Sequence, residues 1–123
     1  MFAFEKLEVW RKSKSVVVAV YTLLNMFPKY EQYALCDQIR RAVVSVPSNI
    51  AEGCGRSSLK EKIHFIEIAY GSLMETYCQL LIAVDLEYIT IDKVNELMND
   101  FEYISKMLIG LRASYHKRLA VKV

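Results

Sequence analysis

The chain has no CxxC pair, no histidine at ligand spacing from a cysteine, no strong excess of one charge and no long uninterrupted apolar run. Its three cysteines, Cys36, Cys54 and Cys78, are odd in number and far apart, which speaks against a disulfide framework or a zinc site and fits a reducing cytoplasm. His64 and His116 stand alone on helical patterns, where surface or helix-end positions are their ordinary place. The opening residues MFAFEKLEVWRKSKS lack the basic-then-apolar order of a signal peptide, and no run approaches the ~18 apolar residues of a membrane span. Glu67 and Glu75 share one side of a helical pattern, yet carboxylates eight residues apart are ordinary on a solvated face. These absences lead to the expectation of a soluble cytoplasmic protein, not an enzyme, with no metal or cofactor and no membrane partner.

What is present reads as one domain over residues 1–123, long enough to bury roughly two-thirds of its unfolded surface. The formal net charge is +2 and the pI near 8.4, short of the balance that by itself announces a nucleic-acid binder. By stretches, residues 1–30 carry +3, 31–60 carry +1, 61–90 carry −4 and 91–123 carry +2, so the third quarter is an acidic element among basic ones.

Four helical patterns follow. The first runs from about Phe4 to Phe27, is stopped by Pro28, and points Leu7, Trp10, Val17, Val20, Leu24 and Phe27 inward. The second begins near Glu31 with Leu35, Ile39, Val43, Val46 and Ile50. In the third, Leu59, Ile63, Ile66, Tyr70, Leu73, Tyr77, Leu80 and Val84 step by four and three, behind a capping box of Ser58 and Glu61. Thr90 can cap the fourth, whose stripe is Val94, Leu97, Phe101, Ile104, Leu108, Leu111 and Tyr115. The expected fold is all-α, an antiparallel up-and-down four-helix bundle.

Two valine-rich runs, Val16 to Val20 and Ala42 to Val46, have β-branched side chains that favour strands, but both sit inside longer patterns of helical period. Val16, Val17, Val18 and Val20 surround their helix with apolar surface, and self-association would cover the excess. The segment from Gln38 to Ser58 is denser in signals. Pro47 interrupts a continuing helical pattern and predicts a kink in the second helix, with Ser45, Ser48 and Asn49 placed to occupy the backbone groups it frees. Gly53 and Gly55 permit positive backbone angles that end the helix. The turn with Arg56, Ser57 and Ser58 then reads either as a C-cap followed by an N-cap or as a phosphate cradle. Arg40 and Arg41 are equally open: Asp37, one turn earlier, can pair with either, or both can contact phosphates. Gly71, Ser72, Glu75 and Gln79 mark a close helix contact with a polar network that fixes register.

The motifs LEVW at Leu7 to Trp10, FPKYEQY at Phe27 to Tyr33, QIRRA at Gln38 to Ala42, VPSNIAEGCGR at Val46 to Arg56 and IAYGSLMET at Ile68 to Thr76 resemble those of the bacterial 23S rRNA intervening-sequence proteins, over nearly the whole chain. Pro47, Ser48, Asn49, Glu52, Gly53 and Gly55 carry the most specific part, with Gly71 and Glu75 in the last. That family is similar in turn to the accessory variability determinant of diversity-generating retroelements, a barrel-shaped homopentamer that binds nucleic acid and a reverse transcriptase. The resemblance implies a four-helix bundle, a homopentamer and nucleic-acid binding.

The leading expectation is a non-enzymatic homo-oligomer that binds RNA or DNA through phosphates without reading sequence. Its candidate contacts are Arg40, Arg41, Arg56 and Lys60, with Arg11, Lys12, Lys14, Lys117 and Arg118 from the first and last helices. The alternative is a scaffold for an enzyme partner such as a reverse transcriptase, its arginines engaged in inter-subunit salt bridges.

Overall fold

The computed structural model describes residues 1–122 and is helical throughout, with no strand among them. Four long helices carry the fold: α1 (Glu8–Leu24), α2 (Leu35–Cys54), α3 (Leu59–Asp85) and, after the short α4 (Ile91–Asn95), α5 (Met98–Lys122). Both valine runs are helical, so packing and helical period override the local preference for extended structure.

Three boundaries differ from the sequence expectation. The first helix is broken at Leu7, which is extended between a 3-10 turn at Ala3–Lys6 and α1, and it ends at Leu24. The break folds the N-terminus back, so that the Phe4 ring meets the Trp10 ring edge-on at 4.9 Å. The second helix starts at Leu35, not Glu31. A 3-10 turn at Lys29–Glu31 precedes it, and Gln32 Nε2 donates to the Leu24 carbonyl at 3.0 Å, a second bond to a group that the Phe27 amide also reaches. The fourth pattern is two helices. Thr90 caps α4 by accepting from the Lys93 amide at 3.4 Å, and Glu96 and Leu97 turn the chain into α5.

The inward stripe of α1 is Val9, Ser13, Val16, Val20, Leu23 and Leu24, while Leu7, Trp10 and Val17 lie on its shoulder, half-buried. Ser13 explains the offset: its hydroxyl donates to the Val9 carbonyl at 2.7 Å, and a serine satisfied by its own helix can sit in the apolar line. On α3 the small residues Ala69, Thr76 and Ala83 take the buried positions expected for Tyr70, Tyr77 and Val84, which pack half-buried beside them. Small side chains let neighbouring helices approach where a tyrosine would not fit. The excess of the valine run shrinks accordingly. Val16 and Val20 are buried and Val17 half-buried, leaving Val18, 65% exposed, as the outward member.

The helices meet in consistent order. Along α2 and α3, Gly53 faces Phe65, Ser45 faces Ser72, and Gln38 faces Gln79, so residue numbers rise on one helix as they fall on the other. Between α3 and α5 the pairs are Glu67 with Arg112 and Tyr77 with Phe101. One end therefore gathers the end of α2, the start of α3 and the end of α5, the other the start of α2, the end of α3 and the start of α5, and α1 runs beside α2 along a groove lined by Trp10, Val17, Val44 and Ala51. α3 stops with Glu87 at φ 65°, the one positive φ among the described residues. Tyr88 N–H returns to the Ala83 carbonyl and Glu87 N–H to the Val84 carbonyl, a Schellman ending built on a non-glycine residue.

Candidate functional site

The charges sort by end. The stretches 1–15, 48–70 and 107–121 hold ten basic and five acidic side chains, whereas 16–47 and 71–106 hold five and nine; Lys122 completes the chain's +2. Of the nine candidate cations, seven (Arg11, Lys12, Lys14, Arg56, Lys60, Lys117 and Arg118) lie in the first group. Arg40 and Arg41 lie in the second.

At the basic end most cations are held by their own surroundings. Arg56 pairs with Glu52 at 3.3 Å and lies 3.9 Å from Glu61, with its guanidinium 4.9 Å from the centre of the Phe65 ring. Arg11 Nε donates to the Glu5 carbonyl at 2.9 Å, Lys12 reaches Asp100 at 3.3 Å, and Lys14 sits 4.9 Å from the centre of the Trp10 ring. Arg118 lies over Tyr115, whose hydroxyl pKa is raised by burial and by the nearby Cys54, against the lowering effect of Arg118. Lys60 and Lys117 are exposed.

Three cations missing from the expected set belong here, the exposed Lys6 and two that are engaged. Lys62 Nζ donates to the carbonyls of Gly53 at 3.3 Å and Cys54 at 3.1 Å, closing the end of α2, and Arg112 pairs with Glu67 at 2.9 Å. A lysine shortly after a glycine-marked helix end is the signal that would have found Lys62.

The glycine turn itself is filled by its own side chains. Gly53 is still helical, Gly55 has φ −83°, and no glycine among the described residues has a positive φ, so the expected left-handed ending is not used. Gly53 serves a close approach instead: an added Cβ would meet the Phe65 Cβ at 3.0 Å. Ser58 Oγ accepts from the Glu61 amide at 3.2 Å, which is the N-cap half of the expected capping box. The Glu61 amide is thereby taken, and Glu52 and Glu61 place two carboxylates beside the turn, where they would repel a phosphate. The cap reading therefore accounts for these residues.

At the other end Arg40 and Arg41 separate. Arg41 pairs with Asp37 at 3.4 Å on the surface. Arg40 turns inward, donating to the carbonyl of Gln32 at 3.0 Å and to its side-chain oxygen at 2.6 Å, with Tyr21 alongside. Nearby, Tyr88 O–H donates to Glu31 Oε2 at 2.7 Å and meets the Tyr30 hydroxyl at 3.4 Å.

In α2 the helix passes through Pro47 without interruption. Asn49 Nδ2 donates to both the carbonyl and the hydroxyl of Ser45 at 2.8 Å, and Ser45 is joined to Ser72 at 2.8 Å. Thr76 donates to the Ser72 carbonyl, so a polar chain crosses from α2 to α3. Ser48 and Glu52 face outward. Gly71 also faces outward, with nothing within 4 Å of an added Cβ, and Glu75 is exposed. The helix contact expected around them is made by Ser72 and Gln79 instead. No group of three or more histidine, cysteine or carboxylate side chains able to hold a metal occurs among the described residues, and no helix there is long and apolar enough to cross a membrane.

The family model of the 23S rRNA-intervening sequence protein matches residues 5–110. The chain belongs to that family. Among solved structures, a protein of unknown function from the S23 ribosomal protein family of Bacteroides thetaiotaomicron is 28% identical, with a TM-score of 0.77 over 85% of this chain and 97% of the other. No curated protein matches the chain. The intervening-sequence motifs lie on the helix ends and the α2–α3 contact, and both the family and this neighbour leave the activity undefined.

Proposed function

We propose that this intervening-sequence protein is a non-enzymatic cytoplasmic module, an antiparallel up-and-down bundle bent at Pro47, that self-associates and holds RNA or DNA phosphates at its basic end without reading sequence. The observation that carries the reading is an uneven sharing of charge: ten cations stand against five carboxylates in the stretches of one end and five against nine in those of the other, with Lys12 and Asp100 paired across the two, although the net charge is only +2. A field of that shape attracts a polyanion to one end and orients it. Lys60, Lys117 and Arg118 supply the contacts; Arg56, held by Glu52 and Glu61, and Arg40 and Arg41 are structural on this reading. Self-association is supported by the exposed apolar residues Val18, Met74, Ile82, Met107 and Ile109.

The test is retention of a structured RNA on filters across a salt series. Affinity should fall steeply from low to physiological salt, and a Lys60→Glu/Arg118→Glu pair should weaken binding at least tenfold and flatten the salt slope by about 2. Arg41→Glu should leave binding within twofold. Absence of retention at low salt would remove the reading.

A second reading, a scaffold for an enzyme partner such as a reverse transcriptase, is favoured by two adjoining apolar grooves between α3 and α5, about 400 and 300 Å³, that meet at Tyr70. Reversing Arg40 and Arg41 together separates the two: a smaller particle by light scattering supports the scaffold, and an intact oligomer with RNA bound supports the phosphate reading.

A further inference from the structure

A third groove, of about 310 Å³, runs between α1 and α2, with Phe4, Trp10, Lys14, Ser48 and Ala51 from the basic stretches and Val17, Val44 and Pro47 from the acidic ones. Its walls are Phe4, Trp10, Val17 and Pro47, its rim Lys14 and Ser48. The composition is uneven in an informative way: the one charged side chain is a cation, no carboxylate lines the groove, and two aromatic rings set edge-on at 4.9 Å form one wall. Lys14 is exposed, its Nζ 4.9 Å from the centre of the Trp10 ring, and Arg11, next to Trp10 in the chain, is exposed as well while its Nε donates to the Glu5 carbonyl.

We infer that this groove is a stacking subsite for an unpaired nucleobase, so that the strand held at the basic end is single-stranded where it crosses α1. The inference rests on the phosphate reading above and adds the substrate class. A base has two apolar faces and a negative phosphate on either side. Aromatic and proline walls with a cationic rim complement both parts, and base stacking on such walls tolerates any sequence because every base has an apolar face. A duplex keeps its base faces stacked on one another and has none to offer such a slot. A second copy of this chain is the competing occupant, and the lysine rim argues against it only if the groove responds to nucleic acid.

Trp10 is the chain's single tryptophan, so its emission reports this groove alone. The full chain is titrated at low salt with an unlabelled oligothymidylate and, separately, with a duplex of equal length, each followed by Trp10 fluorescence and by filter retention. The expected result is quenching by the single strand and little by the duplex. Ser48→Leu, at an exposed position on the rim, should abolish the quenching and weaken single-strand binding about tenfold while duplex retention and thermal unfolding stay unchanged. Lys14→Met should weaken single-strand binding without shifting the unfolding midpoint. Retention of both oligonucleotides with unchanged emission, or equal quenching by both, would overturn the stacking subsite and leave phosphate binding standing. Retention of neither would overturn both. Emission that changes with protein concentration alone would assign the groove to a second copy and overturn the inference.

Discussion

The two ends of the molecule are built by different rules. At the acidic end the apolar core is dense: Val20, Leu24, Phe27, Ile39, Leu80, Ile89, Val94, Phe101 and Ile104 are all buried, drawn from α1, α2, α3, α5 and both connections. At the basic end Val9, Ile50, Leu59, Ile63, Ile66, Ala69 and Leu108 are buried, but α5 has no buried residue after Leu108; Leu111 and Tyr115 are half-covered and the rest of its described side chains reach solvent except for the half-covered Leu119. The difference teaches that core and candidate site are spatially separated. Stability is concentrated where the carboxylates are, and the cations stand on helix ends that the core leaves open.

The largest contrast is expected from truncating the buried Phe101 at the acidic end and the half-covered Leu111 at the basic end. Phe101→Ala should cost about 3–5 kcal/mol by urea unfolding, because it empties a site lined by α3 and the α4–α5 turn, whereas Leu111→Ala should cost less than about 1 kcal/mol. Equal losses would mean the basic end is packed as firmly as the acidic one.

Glycines sharpen it next. Gly53→Ala should destabilise by about 1–3 kcal/mol, since the new Cβ meets the Phe65 Cβ, close to the backbone and unable to swing away. Gly71→Ala, with open space around it, should stabilise by about 0.5–1 kcal/mol. Thermal melts of the two variants check the opposite signs.

The smallest effect is a pH dependence confined to the acidic end. Tyr88 is held protonated by its hydrogen bond with Tyr30 and then by Glu31, which raise its pKa above the usual 10. A raised folded-state value gives stability that is complete below about pH 10 and is lost as pH rises towards the folded value. Wild type should therefore lose stability between pH 9 and 11 faster than Tyr88→Phe, read by urea unfolding at each pH. Parallel curves would show that the hydroxyl cluster contributes nothing.

How much of this could be read beforehand varied by residue type. Large aliphatic positions were legible, because period alone places Ile39, Val43, Ile63, Leu73, Ile104 and Leu108 on one line. Ser13, Ala69, Thr76 and Ala83 were not, since a polar or small residue carries no hydrophobic signal even when a hydrogen bond to its own helix or a close neighbour makes burial favourable. The break at Leu7 and the division of α4 from α5 contain neither proline nor glycine, so nothing local announced them. For the candidate site, the cations themselves were visible, but their grouping was not: counted along the chain, charge gave +3, +1, −4 and +2, a pattern that hides the two ends.

The amino-acid sequence by itself determined that this chain is helical, roughly where its long helices lie, and which motifs place it in its family, because apolar period and short-range caps act within a few residues. The tertiary structure alone decided which cations share an end, that Arg40 turns inward while Lys60 faces water, and that Gly53 matters for contact and not for its backbone angle. Those outcomes depend on residues dozens of positions apart being brought side by side, and the physical forces that act there, charge summed over an end and contact between helices, have no expression along a single strand of letters.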